Sequence, residues 1–321
     1  MAYDKTRVAS TSEEIKANLY SGDKGLIKNA ALAVDEYFRT EIRENGIRRQ
    51  ITPPTTVTKE DLAYVEYTDF PVMIVEIVGQ SAGAVRVSFE TGPSNADIHG
   101  RKTRIEFNRI MTPKYSIDKI RLEGYKMPLL DILYDLMLKD IMDCEDKTAM
   151  DADDFVLGTI DVDNWELGAR RYVHAGPFGR EAMVHMKKAM FKLPGHLQVS
   201  KYLMNYGTYC DFGVFGRDDV GGDMSQDMFV NGVTLSTVQG IKTIVTTKTE
   251  FVPDDKVYIY TDQEYYGGFY IKDDVSMVTD EQDDIWLSFF AHETIAESII
   301  NTAGIAAVEF GGTLTSWENG K

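Results

Sequence analysis

The run Gly79-Gln80-Ser81-Ala82-Gly83 has the spacing of a serine-hydrolase nucleophile elbow, where a serine on a sharp turn is aimed by the helix that follows. An apolar run, Val72 to Val78, does precede it. No helix is expected after it, because Val85, Val87 and Phe89 alternate with Arg86 and Ser88 at the period of a strand. Glycines at the base of a hairpin explain the same pattern, so hydrolysis through Ser81 ranks as a distant alternative. His292-Glu293 lacks the second histidine that a zinc-protease helix places four residues on, and it lies in a strand-like stretch. Asp161-Val162-Asp163-Asn164-Trp165-Glu166 resembles a calcium loop but lacks its sixth-position glycine and distal glutamate, so a solvated acidic loop is expected. No GxxxxGK[ST] phosphate loop occurs, and the histidines at 99, 174, 185, 196 and 292 are scattered. Cys144 and Cys210 are expected as buried small hydrophobes, which leaves neither a disulfide framework nor a cysteine zinc site. The expectation is a protein without catalytic residues, cofactor or metal.

Charge narrows the partners. The 321 residues carry 34 Lys and Arg against 51 Asp and Glu, a net charge of −17. Residues 1–60 hold ten of those basic residues and nine of the acidic ones, so the acidic excess lies beyond them. Such a surface repels phosphate backbones, and sequence-specific nucleic-acid binding is not expected. No apolar run approaches the ~18 residues a membrane span needs. The first residues lack an apolar signal core, so the chain is expected to stay in the cytoplasm.

The elements that would position these groups fall in a definite order. Thr11-Ser12-Glu13-Glu14 has capping-box spacing, and Ile27, Ala31, Val34, Phe38 and Ile42 recur at helical spacing up to Asn45-Gly46. Gln50 to Thr58, with Pro53-Pro54, reads as an extended linker. Val72 to Val78 reads as a buried strand. Residues 79–111 read as a long two-stranded hairpin around the polar tip Gly92 to Lys102, and Lys114 to Leu122 as a further strand. A helix is predicted over 128–150, with Pro128 at its first position and a stripe of Leu129, Leu133, Leu136, Met137, Ile141 and Cys144. Asp143, Glu145 and Asp146 lie late in it, where the helix dipole disfavours them, so fraying or compensation by Lys147 is expected before an acidic loop at Asp151 to Asp154. Helices are predicted at 178–193 and 206–215. Strands are predicted at 198–204, 241–246, 257–260, 269–271, 275–278, 285–299 and 305–310, with a glycine-aspartate loop at Gly216 to Gly222.

The hairpin is out of scale with its own domain. About sixteen residues per limb at ~3.3 Å each reach roughly 50 Å. A compact chain of this length has a radius of gyration of about 20 Å. A lone ribbon is marginal in water, so one of this length is expected to lie across a neighbouring subunit.

Arm, long hairpin, long helix, mixed second lobe, long strand and short terminal strand together resemble the major capsid proteins of tailed bacteriophages, with their Hong Kong-97-like α+β fold. Ile105-Glu106-Phe107 through Ile117 resembles the returning limb of the family's extended loop, and Pro128-Leu129-Leu130-Asp131 through Asp146 its spine helix. Tyr202-Leu203-Met204-Asn205-Tyr206-Gly207 resembles the strand-to-helix step of the axial domain. Val257 to Asp262, Gly267 to Tyr270, and Ala291 through Ala306 resemble the closing segments.

The resemblance implies an N-terminal arm at 1–60, an extended loop at 79–111 and a C-terminal tail at 313–321. It implies a peripheral domain from 61–78, 112–170 and the long strand 273–302, and an axial domain from 171–272 with a last strand at 303–312. It implies a shell of hexamers and pentamers, with a portal protein and a separate scaffolding protein as partners, and leaves open a decoration protein. An encapsulin-like cargo shell is the alternative. Inter-subunit contacts are expected from Ile27, Val34 and Phe38 on the arm and from Arg101, Lys102, Arg104 and Phe107 on the loop. Arg217, Asp218, Asp219, Gly221 and Gly222 are expected at the capsomer axis.

Overall fold

In a computed structural model, the structure describes residues 46–65, 68–78, 100–118, 120–121, 129–159, 171–174, 176–192, 197–215, 236–282 and 286–310. The arm helix with Ile27, Val34 and Phe38, the Ser81 motif, the acidic loop 161–166 and the glycine-aspartate loop at 216–222 lie outside these residues.

The chain begins with a short helix, α1 (Ile47–Ile51), and a two-residue strand, β1 (Thr55–Thr56). β2 (Val72–Val78) and β3 (Gly100–Glu106) form a two-stranded sheet of their own. β4 (Asn108–Met111) and β5 (Tyr115–Asp118) lead to the long helix α2 (Leu129–Thr159). Then come β6 (Arg171–His174), α3 (Arg180–Lys192), β7 (Lys201–Asn205) and α4 (Tyr206–Cys210), which a 3-10 turn, Asp211–Val214, extends. β8 (Thr237–Val238) and β9 (Ile241–Thr246) form a tight hairpin whose Gln239 and Gly240 take φ of 52° and 78°, as a two-residue turn between twisted strands requires. β10 (Lys256–Tyr260), α5 (Gln263–Tyr266), β11 (Gly267–Gln282), β12 (Trp286–Ile299) and β13 (Ile305–Phe310) complete the order.

Two larger sheets organise the core. One has the order β1-β11-β12-β4, with β5 also paired to β12. The other is six-stranded, in the order β6-β13-β10-β7-β9-β8. In the six-stranded sheet both faces are covered, so its central strands bury consecutive residues, Tyr202 to Met204 in β7 and Val257 to Tyr260 in β10, rather than alternating. Val257 and Ile259 of β10 meet Met183, Met186 and Met190 of α3 on one face. Tyr258 and Tyr260 point the other way, into a cluster with Ile47 and Ile51 of α1 and Met150 and Leu157 of α2. The other end of α2 packs Leu133, Met137 and Ile141 on Val275, Leu287 and Phe289 of the five-stranded sheet. At ~1.5 Å per residue its 31 residues span about 46 Å, so one helix touches both sheets.

Several expectations are corrected. The helix does not stop near Met150: Asp151 to Asp154 is its last-but-one turn, because Asp153 and Asp154 receive hydroxyls from β10. Gln50 and Ile51 are helical and Ile51 is buried, so the extended segment begins at Thr52, and residues 46–52 pack into the core while Thr55 and Thr56 lie exposed. The two strands read at 269–271 and 275–278 are one strand, with register shifts between Ile271 and Ser276 where Lys272-Asp273-Asp274 interrupts the apolar run. Val72 to Val78 is not a buried strand throughout, since Ile74 and Glu76 are exposed. The ribbon starts there and not at 79, with Val72 opposite Glu106 and Val78 opposite Gly100. Cys144 and Cys210 are free thiols on the surface, not buried ones, because α2 and α4 turn those faces away from their sheets.

Phe289 is fully buried beneath α2, its ring edge-on to Tyr134 at 6.1 Å between centroids. Phe289→Ala should cost about 3–5 kcal/mol in urea unfolding of the unassembled subunit. A loss below about 1 kcal/mol would show that α2 is not held by this packing.

Candidate functional site

Sequence-expected sites occur in the described residues at two places. In β12, adjacent residues face opposite sides, so His292 and Glu293 do not converge. His292 lies 3.4 Å from Ser276 Oγ, while Glu293 is buried on the other face. Among the described residues no group of three or more His, Cys, Asp or Glu could hold a metal ion.

The ribbon is the second place. Lys102 sits opposite Glu76 and pairs with it at 2.8 Å, and Arg104 pairs with Glu106 at 2.7 Å. Both pairs are open to water, and Lys102 holds the Glu76 carboxyl below its usual range through a hydrogen bond and its charge. Arg101 pairs through its backbone position with Ile77. Phe107 is buried within its own subunit, with Val57, Met73, Ile105 and Ala296, because the chain there passes from the ribbon onto β12. Beside the ribbon root, Tyr64 and Phe70 are 92% and 74% exposed.

The strongest constellation is one that sequence reasoning missed. α1 carries Arg48 and Arg49 into the seam between the two large sheets, where both are buried. Arg49 donates to both oxygens of Glu145 on α2, closest at 2.7 Å, and to Glu293 on β12 at 3.0 Å. It lies 3.5 Å from Asp274 at the irregular stretch of β11. The backbone N–H of Arg48 donates to Asp146 at 3.0 Å, a carboxylate at a helix N-terminus, which also suits the dipole. The Arg48 guanidinium donates to Tyr266 Oη at 3.0 Å and lies 3.6 Å from Glu297. Tyr266 and Tyr260 in turn donate to Asp153, the latter at 2.7 Å. Lys248 closes the far side, 2.6 Å from Asp146 and 2.8 Å from Asp143. At the other end of α1, Lys201 donates to the carbonyls of Gln50 and Ile51.

The electrostatics follow from this crowding. Burial alone would lower Arg48 and Arg49, but the acids and hydroxyls around them outweigh it and hold both above their ordinary values. Burial first, then the neighbouring Glu145 charge, pushes Glu293 well above the usual carboxylate range. Glu297 is raised to about 7, again by burial, against the opposing pull of Arg48. The contacts knit α1 to α2, α5, β11 and β12, and they leave Arg48 Nε and Nη2 and one oxygen each of Glu293 and Glu297 without a hydrogen bond among the described residues.

No family model matches the sequence, and no curated protein matches it. Solved structures do match in fold. The chain superposes on the capsid of cyanophage P-SCSP1u over 84% of its length and 89% of that chain, with a TM-score of 0.57 at 12% identity. For the capsid of cyanophage Pam1 the shares are 80% and 88%, with a TM-score of 0.58 at 10% identity. For the mature capsid of bacteriophage PhiM1 they are 84% and 88%, with 0.56 at 8%. The fold is that of a phage capsid protein. It is the Hong Kong-97-like α+β arrangement that the order of elements implied.

Removing Arg49 would leave Glu145 and Glu293 buried without their cation. Arg49→Ala should therefore cost about 3–5 kcal/mol in equilibrium unfolding. Lys102→Ala, which breaks only an exposed ribbon pair, should leave the unfolding midpoint unchanged. Equal effects of the two substitutions would contradict the assignment of Arg49 as the buried tie.

Proposed function

We propose that this chain is the major shell subunit of a tailed double-stranded DNA phage. It assembles into hexamers and pentamers around the genome, with a separate scaffolding protein and a portal as partners. It carries out no catalysis. The observation that supports this reading best is the match in fold to several phage capsids over four fifths of the chain at shares of 88–89% of theirs. A net charge of −17 suits an inner wall that packed DNA slides past, since it offers phosphates no grip. Purified protein co-expressed with its scaffold should form closed symmetric particles in electron micrographs. A chain that stays monomeric by light scattering under those conditions would overturn the proposal.

The ribbon is assigned to a neighbouring subunit. β2 and β3 pair with each other over seven positions, outside both large sheets, and a two-stranded ribbon gains little stability alone. Reversing Arg101, Lys102 and Arg104 to glutamate should cut particle yield sharply while the unassembled subunit unfolds at nearly its wild-type midpoint. Equal damage to both would place the ribbon's role within its own subunit. Ser81→Ala should leave assembly intact.

The loop with Arg217, Asp218, Asp219, Gly221 and Gly222 is assigned to the capsomer axis, where copies meet around five- and sixfold positions. A cysteine at Asp219 should then give disulfide-linked subunit pairs within capsomers on oxidation. Absence of cross-links in assembled shells would refute this placement.

A further inference from the structure

Two guanidiniums face four fully or nearly buried carboxylates in the α1 seat, and that ratio has a consequence for pH. Glu145, Asp153, Glu293 and Glu297 surround Arg48 and Arg49, while Lys248 is taken up by Asp143 and Asp146 on the far side. Asp274, Tyr266, Tyr260 and Cys144 complete the titratable groups on the elements packed around Glu293 and Glu297. Four anions cannot all remain ionised in a dry site beside two cations, so the seat keeps at least one proton. Its place is marked by Oε1 of Glu293, which is buried and accepts no hydrogen bond among the described residues; Oε1 of the neighbouring Glu297 also accepts none and has the Arg48 Nε charge 3.6 Å away. An ionised carboxylate leaves no such oxygen unpaired in a dry site, whereas a protonated one tolerates it.

We propose that the seat of α1 is a pH-sensitive latch, which holds residues 46–57 while the carboxylate cluster retains its proton and loosens its hold on them as the pH rises from acid to neutral. Opening would remove Arg48 and Arg49 but admit water. Burial is the larger influence on both glutamates, so in the open state each becomes an ordinary carboxylate that binds its proton less tightly. The closed state is thus favoured fully below the ordinary carboxylate value of 4.5, and the advantage is lost as pH climbs through about 7, where Glu297 titrates. The segment reaches beyond the arginines: Thr55 and Thr56 pair with Tyr270 and Ile271, and Gln263 donates to the carbonyl of Pro53. Release of the latch would free this join to the five-stranded sheet.

Amide hydrogen exchange on the full-length chain from pH 4 to 9, corrected for the chemical exchange rate, tests this. Protection of residues 46–57 should fall about tenfold per pH unit between the ordinary carboxylate value of 4.5 and about 7, where Glu297 titrates, while Tyr258 to Tyr260 in the sheet behind keep theirs. Glu297→Gln and Glu293→Gln, which fix the neutral form, should flatten that profile and retain protection at pH 9. Constant wild-type protection across the range would overturn the proposal even if neither variant folds. A profile unchanged in both variants would overturn it equally.

Discussion

An ion taken out of water costs several kcal/mol unless countercharges and hydrogen-bond partners enclose it. Arg49 meets that demand, and Arg48 meets it with one hydrogen bond and one longer charge contact, only because α2, β11, β12 and α5 all deliver oxygens to the same seam. The dependence runs both ways. Glu145 and Glu293 could not sit in a dry seam without Arg49, and a helix carrying acids in the middle of its packed face could not lie between two sheets. Each sheet is therefore defined by its apolar faces, but their mutual position is set by a charge arrangement that is satisfied in one register only. An apolar seam of the same volume could slide; this one cannot without stranding a charge.

The division of labour along α2 makes the same point at larger scale. Its first half is an ordinary amphipathic contact with β11 and β12. Its second half touches β10 and β13 through Met150 and Leu157, and there it also offers Asp153 and Asp154 to the tyrosines of β10. A stripe of tyrosine hydroxyls projecting from one face of a buried sheet needs acceptors, and the acids of the helix are those acceptors.

That pairing explains which features could be read in advance. Periodicity exposed the strands of the six-stranded sheet, the long β12, and the start of α2, because each reflects burial of a face. It failed where charge overrode composition. Asp151 to Asp154 looked like a loop because acids at a helix end oppose the dipole; their partners, Tyr258, Tyr260 and Tyr266, lie more than a hundred residues away and leave no local trace. The unease over Asp143, Glu145 and Asp146 was the right signal, but Lys147 was the wrong remedy. The cations come from Arg49 and Lys248, one from a segment that looked like a linker. Glu293 interrupts the apolar alternation of β12 and was the one hint in that strand that an arginine had to meet it. The capsid fold itself was legible in the order of elements, whereas this seat was not, because it joins residues from four separate stretches of sequence.

The position of Gly46, immediately ahead of α1, gives the fold a mechanical property. Any tension on the chain before residue 46 arrives first at α1, two residues from the buried guanidinium of Arg48. Apolar packing yields gradually as surfaces slide, but ion pairs and hydrogen bonds of 2.7–3.0 Å lose most of their strength within a small displacement. The joint is therefore stiff and brittle. It would transmit small loads from the upstream chain into α2 and β12 almost without strain, then fail at a threshold rather than creep.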